Sequence, residues 1–491
     1  MSQTKVGSAK NLEAVYPLSP TQQGLLFQYI YGQSWEYFQQ MSYSLSGALN
    51  CQNLKAALER VIERHQVLRT VFLWERIDKP IQIVRKRMTL PWAEFDWQEL
   101  AQEEQETRFN AFLCADRDLG FDISKGPLIR LTLIRLSDER YRFIWSHHHI
   151  ILDGWSAALL RGEVFTYYHA YCRGIDLQMP EPRPFRDYIK WLQRQDLSKA
   201  EAYWRETLKG FTAATPLVLS PAKDTLSNQD DEYLQWGSKI PDGVITALQT
   251  LVRQNRLTVS TVVKGFWALL LSHYSGREDV IFGSVYSGRP YELARVESMV
   301  GVFITTLPIR VQISLDLPLL KWLSDLQYQQ ALLQEYEYTP LSEIHGWSEI
   351  GRGQSLFESV LVFQNFPQDV ASRHEGVPET NSGLKISDSR LIIRNNYPLT
   401  LRVEPDFGNI VFLYDSRRFA SQAIIRTWNH LNLLFTYFVE HPHTTLRAMI
   451  REIDEYDRRL HSAQYQEFKA LISQKLGGVK RKSIIGSSIP E

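Results

Sequence analysis

The chain has 491 residues, 44% of them hydrophobic and 13 of them tryptophan, more than one ordinary core holds, so two or three lobes are expected. Its 55 Lys and Arg balance 55 Asp and Glu, and this net charge of zero argues against a surface built for nucleic acid or an anionic membrane. Cys51, Cys114 and Cys172 form neither a disulfide framework nor a zinc pattern, and no apolar leader or membrane-length run is present, so a cytoplasmic protein is expected.

In chain order, residues 1–12 read as a polar tail. Ser19 followed by Pro20 marks a helix start, with Ser19 as N-cap and Pro20 in the first turn. A strand is expected at 41–46, then a helix at 54–64 whose Leu54, Leu58, Val61 and Ile62 share one face. Strands follow at 67–74 and 81–84, and a hairpin of 128–136 with 141–150 closes around Ser137-Asp138-Glu139-Arg140. A long helix is expected at 157–171, and the Pro-rich stretch 179–184 is the clearest punctuation. It divides an N-terminal lobe (13–182) from a C-terminal lobe (183–456), with a C-terminal helix and basic tail over 457–491.

The second lobe repeats the mixture. Helices are expected at 186–193, 198–208, 245–254, 259–274 and 421–440. Strands are expected at 280–286, 305–313, 357–363, 391–393, 399–405 and 409–414. Residues 367–384 read as a surface loop. Strands and helices interleave without a strict βαβ rhythm, which predicts α+β lobes with mixed sheets.

The stretch with most chemical content is Ser146-His147-His148-His149-Ile150-Ile151-Leu152-Asp153-Gly154-Trp155-Ser156, at a strand-to-helix junction. Histidine titrates closest to neutral pH and suits proton transfer. Alternation along a strand would put His147 and His149 on one face and His148 on the other. Three readings stand side by side. The histidines are satisfied core residues and Asp153 a helix cap; or His147, His149 and Asp153 hold a metal; or one imidazole is a base and Asp153-Gly154 fixes the turn.

A series of further motifs bears on the choice. His148-His149-x-x-x-Asp153-Gly154 is preceded by Leu18-Ser19-Pro20-Thr21-Gln22-Gln23-Gly24 and by Arg64-His65-Gln66-Val67-Leu68-Arg69-Thr70-Val71-Phe72. It is followed by Phe185-Arg186-Asp187-Tyr188, Val300-Gly301-Val302-Phe303, Leu361-Val362-Phe363-Gln364-Asn365-Phe366 and Asn396-Tyr397-Pro398-Leu399. In order and content this series resembles the condensation domains of nonribosomal peptide synthetases, over about Val15 to Asp454. The resemblance implies an α+β fold of two chloramphenicol-acetyltransferase-like lobes, a V-shaped pseudodimer with a central tunnel.

The resemblance further implies an amide-forming enzyme joining two substrates held as thioesters on the phosphopantetheine arms of donor and acceptor carrier proteins. No cofactor of its own, no metal and no nucleic-acid or membrane partner are implied. His149 is the catalytic histidine by resemblance, beside His148. Asp153 orients the motif through a salt bridge to Arg289, and Gly154 brings a backbone N–H to the reacting carbonyl. Arg64 and Arg69 are expected in scaffold salt bridges. The later motifs are most similar to the subtype joining an L-configured donor to an L-configured acceptor. With no carrier or adenylation motif, the sequence reads as a freestanding enzyme recruiting carriers in trans or as an excised domain. The tail near Lys480 is a solvated linker or a dock for an acidic helix. Two rival functions share the fold: an acyltransferase using a free amine, an alcohol or a coenzyme A thioester, and a non-catalytic module that recruits carriers.

Overall fold

The computed structural model describes residues 11–32, 37–219, 233–351, 353–364, 384–393, 396–404 and 407–477. Asn365, Phe366, most of the 367–384 loop and the basic tail near Lys480 lie outside these residues.

The first half runs β1 (Leu12–Pro17), α1 (Pro20–Tyr31), β2 (Phe38–Ser46), α2 (Cys51–Arg64), β3 (Thr70–Leu73), β4 (Ile81–Arg85) and β5 (Trp92–Asp96). It continues through α3 (Gln102–Leu119), β6 (Ile129–Ser137), β7 (Arg140–His148), α4 (Gly154–Cys172), α5 (Arg186–Leu192) and α6 (Leu197–Leu208). The second half holds β8 (Tyr233–Lys239), α7 (Asp242–Gln254), α8 (Val259–Ser275), β9 (Asp279–Tyr286), β10 (Thr305–Gln312), α9 (Leu319–Gln334) and α10 (Leu341–Trp347). It ends with β11 (Ser359–Phe363), β12 (Lys385–Ile393), β13 (Leu399–Val403), β14 (Asn409–Asp415), α11 (Ser421–Glu440) and α12 (Leu446–Gly477).

Two mixed sheets dominate, ordered β12-β2-β7-β6-β5 and β10-β9-β11-β13-β14-β8, beside a small β1-β4-β3 sheet. Leu12, assigned to the tail by its polar neighbours, already pairs with Arg85. The β6–β7 hairpin forms around Asp138 and Glu139 as its turn residues predict. The expected strand at 67–74 begins three residues later, because Gln66–Arg69 form a 3-10 turn that buries Arg69.

Each large sheet has its own core. The second-half core wraps α8, which is buried on nearly every face around Phe266 and Trp267. The first-half core packs α2 and α4 against β2, β6 and β7. Three pieces of the later sequence join this first core or its sheet. Phe185, Tyr188 and Ile189 pack into it, as do Leu293, Val296, Met299, Val300, Val302 and Phe303 from the β9–β10 connection. β12 adds to the sheet edge by pairing with β2. The crossing connection depends on Gly288, at φ +58°, where a Cβ would stand 1.8 Å from the Phe303 carbonyl oxygen.

The histidine strand is pinned from α1. Ser19 and Gln22 form the expected N-terminal cap reciprocally, at 3.1 and 3.0 Å. The same Gln22 side chain donates to the Ile150 carbonyl at 3.1 Å, tying the first motif to the turn after His149. No described helix is long and apolar enough to cross a membrane.

Candidate active site

A cavity of about 1390 Å³ lies between the two large sheets. Met41 and Arg142 line it from the first, and Val285, Val362 and Arg402 from the second. His149 and Gly154 open onto it.

β7 stops at His148 and the chain turns through residues 149–151, closed by the Ile151 N–H donating to the His148 carbonyl at 3.2 Å. The alternation expected of His147 and His149 as strand neighbours therefore ends one residue early. His147 and His148 are fully buried, and burial, reinforced by the neighbouring imidazoles, pushes each down to about 3, so both are neutral. The His148 Nδ1 accepts the Ile150 N–H at 3.1 Å, which places its proton on Nε2. Its ring meets Tyr29 edge-on at 5.9 Å.

His149 has the opposite tautomer. Its Nδ1 lies 2.6 Å from the Leu152 carbonyl oxygen, which can only accept, so Nδ1 carries the proton and Nε2 the lone pair. Burial holds its pKa below the ordinary histidine value, against the opposing pull of the Leu152 carbonyl and Asp153. A neutral imidazole with a bare nitrogen thus sits on the cavity wall, equipped to accept a proton.

Asp153 is fully buried and does several jobs. Its Oδ1 caps α4 by accepting the Ser156 N–H at 2.7 Å, and its Oδ2 accepts the Phe303 N–H at 3.0 Å. Arg289 Nη2 approaches Oδ1 at 3.5 Å, so the expected ion pair is present across the crossing connection. Arg289 also donates to the Val296 and Met299 carbonyls at 2.5 and 2.9 Å and stacks on the Phe303 ring at 4.0 Å. With both oxygens occupied by backbone and guanidinium, Asp153 is a brace. Among the described residues no cluster of three or more His, Cys, Asp or Glu side chains converges as a metal site.

Gly154 is the first residue of α4, so its N–H has no partner within the helix. Sequence reasoning missed Ser156, whose hydroxyl donates to the Gly301 carbonyl at 2.8 Å and receives the Gly301 N–H and Arg289 Nη2, both at 3.0 Å. Its position three residues after the capping Asp153 was the available signal. Arg64 and Arg69 stand away from the cavity. Arg64 pairs with Glu163 at 3.1 Å beside His65, and Arg69 pairs with Glu13 at 2.5 Å.

These two lobes, sharing one cavity with the histidine motif on its wall, define the chloramphenicol-acetyltransferase-like class. The starter condensation domain of rhizomide synthetase has the same fold, with a TM-score of 0.73 at 18% identity over 88% of this chain and 97% of that one. A four-domain nonribosomal peptide synthetase bound to AMP and glycine gives 0.74 at 16% identity, over 89% of this chain and 34% of that one. The profile of the condensation domain matches residues 12–458, and the chain belongs to that family. It is 41% identical over 428 residues to one of the linear gramicidin synthase proteins of Brevibacillus parabrevis, covering 87% of this chain and 8% of that protein. It is 30% identical over 454 residues to surfactin synthase subunit 3 of Bacillus subtilis, covering 92% of this chain and 35% of that protein. The chain thus spans a minor part of these relatives.

Proposed function

We propose that this chain forms an amide bond between two thioester-bound substrates presented by donor and acceptor carrier proteins. The observation that carries the reading is the tautomer of His149, whose Leu152 hydrogen bond leaves Nε2 unprotonated on the wall of a cavity between two lobes. Family membership supports the same reading.

The acceptor's α-amine, with a pKa of about 8, attacks the donor thioester carbonyl, forming the C–N bond and a tetrahedral oxyanion. The Gly154 N–H stabilises that oxygen. His149 Nε2 takes the proton released by the new ammonium, a contribution of about 10²–10⁴-fold. Collapse breaks the C–S bond, and the departing thiolate takes the proton back, giving an amide and a free thiol arm. Holding both thioesters in one cavity contributes more, up to roughly 7–11 kcal/mol of barrier. His148 sets the turn that carries His149. Asp153 and Arg289 lock that turn to the Phe303 segment, while Arg64 and Arg69 brace the scaffold. The phosphopantetheine arms are substrate, not resident cofactor. The three free cysteines fit a reducing cytoplasm.

Intact-protein mass spectrometry tests the reading. With a loaded donor and a loaded acceptor carrier, the acyl mass moves from the first to the second. Full turnover with a free amine and no acceptor carrier would assign the chain to the simpler acyltransferase class. Comparing D- and L-configured donors tests the L-to-L preference.

A further inference from the structure

Two connections carry the chain between the lobes close to the histidine turn. The first, from Gly288 to Phe303, is held by Asp153 through the Phe303 N–H and Arg289. The second is β12, which pairs with β2 of the first-half sheet before the chain returns to β13 of the other. Its last paired residue is Ile393, opposite Gln39, and Asn396 lies just beyond it.

Strand register places Tyr37 where this second connection meets the histidine turn. β2 pairs with β7 as Gln39 opposite His147 and Phe38 opposite His148. Immediately beyond that ladder, the Tyr37 carbonyl accepts the His149 N–H at 2.8 Å. The Tyr37 ring stands 6.5 Å from the imidazole, tilted by 45°. Its hydroxyl reaches the other way and donates to the Asn396 Oδ1 at 2.9 Å. Tyr37 therefore meets His149 with its carbonyl and ring, and the returning chain with its hydroxyl.

The backbone is strained to reach this place. Tyr37 has φ +62°, a left-handed conformation rare for a bulky residue. Such strain costs about 1–3 kcal/mol and persists only where the surroundings over-determine it. Glycine would relieve it, at the loss of both ring and hydroxyl. The Leu152 carbonyl sets the tautomer of His149 through Nδ1, at 2.6 Å, and leaves the tilt of the ring to its neighbours. Tyr37 supplies the aromatic ring beside it, half-buried against the first-half core.

We propose that Tyr37 is a positioning residue for His149, and that its hydrogen bond to Asn396 ties the aim of the imidazole to the chain crossing between the lobes. The proposal rests on the condensation reading, in which His149 is the base. Tyr37 is not among the residues lining the cavity, so it acts through His149 and not on the substrate. His149 is thus held from two sides, by Asp153 at one crossing and by Tyr37 at the other.

The test is condensation kinetics of the full chain with both carriers loaded, in the wild-type and His149→Ala backgrounds. Tyr37→Phe removes only the hydroxyl and lowers kcat about 10-fold at unchanged KM for the acceptor carrier, less than the roughly 100-fold of a misplacement of about 1 Å. Asn396→Ala removes the same bond from the other side with the same loss, and the double variant is no slower than either single one. In the His149→Ala background neither substitution slows the residual reaction further, because no base is left to aim. A merely structural role would lower the residual rate by the same factor, and that result overturns the proposal. So does an unchanged kcat in a folded Tyr37→Phe or Asn396→Ala chain, or a loss confined to KM. If one variant does not fold, the other carries the same comparison. Wild-type rates from His149→Ala alone would instead overturn the base assignment, so the two failures give different results.

Discussion

Asp153 accepts the backbone N–H of Phe303 at 3.0 Å, joining the helix that follows the histidine turn to a connection 150 residues further on. The carboxylate is fully buried and stands 3.5 Å from Arg289. Asp153→Ala strands that guanidinium and frees two N–H groups, and is expected to cost about 3–5 kcal/mol, measured by chemical denaturation. Asp153→Asn keeps a capping oxygen and loses less. Equal stability of Asp153→Ala and wild type would contradict the bracing role.

Gly288 lets the same connection pass. A Cβ there would collide with the Phe303 carbonyl at 1.8 Å, and φ is +58°. Gly288→Ala is therefore expected to displace Phe303, costing about 1–3 kcal/mol in backbone strain alone and lowering condensation rate with it. Paired melting and rate measurements check this, and an unchanged melting temperature would count against the packing described.

The pH profile reports on His149. Its pKa is lowered by burial, and the neutral form is the base, so the acidic limb that belongs to His149 lies below pH 6.5, apart from the limb set by the acceptor's α-amine with its pKa of about 8. A limb centred at or above 6.5 in stopped-flow rate measurements that His149→Gln removes, leaving the amine limb in place, would contradict the neutral imidazole.

His147 and His148 give a stability signature. Both are held near 3 by burial, so below about pH 6.5 the unfolded chain binds protons the folded chain refuses. Stability is full above that pH and falls as the pH drops, by about 1.4 kcal/mol per unit for each such histidine. His147→Leu removes close to one proton from this slope. Denaturation at several pH values between 4 and 7, about the range where linkage operates, shows it; an unchanged slope would mean His147 is protonated in the fold.

The motifs were legible because their spacing is local. Ser19 and Gln22 cap one helix, and Asp153 caps another, within three residues of their partners. Elements with faint patterns were not. In α3 only Gln105, Phe109 and Leu113 are buried, its apolar residues facing a small satellite core with Ile134 and Ile144, so an 18-residue helix shows little amphipathic signal. The pairing of β12 with β2 joins residues more than 300 apart and leaves no trace in either strand. Arg402 reads in sequence as one charge in an apolar strand, and only the folded structure shows that it is buried, with Glu404 3.7 Å from its Nη2.

The most direct test of the account is condensation by the His149→Ala variant with both carriers loaded, followed by intact-protein mass spectrometry. The account predicts a rate about 10²–10⁴-fold below wild type, the share of a general base, with unchanged melting temperature. Wild-type transfer by a folded His149→Ala chain would contradict it.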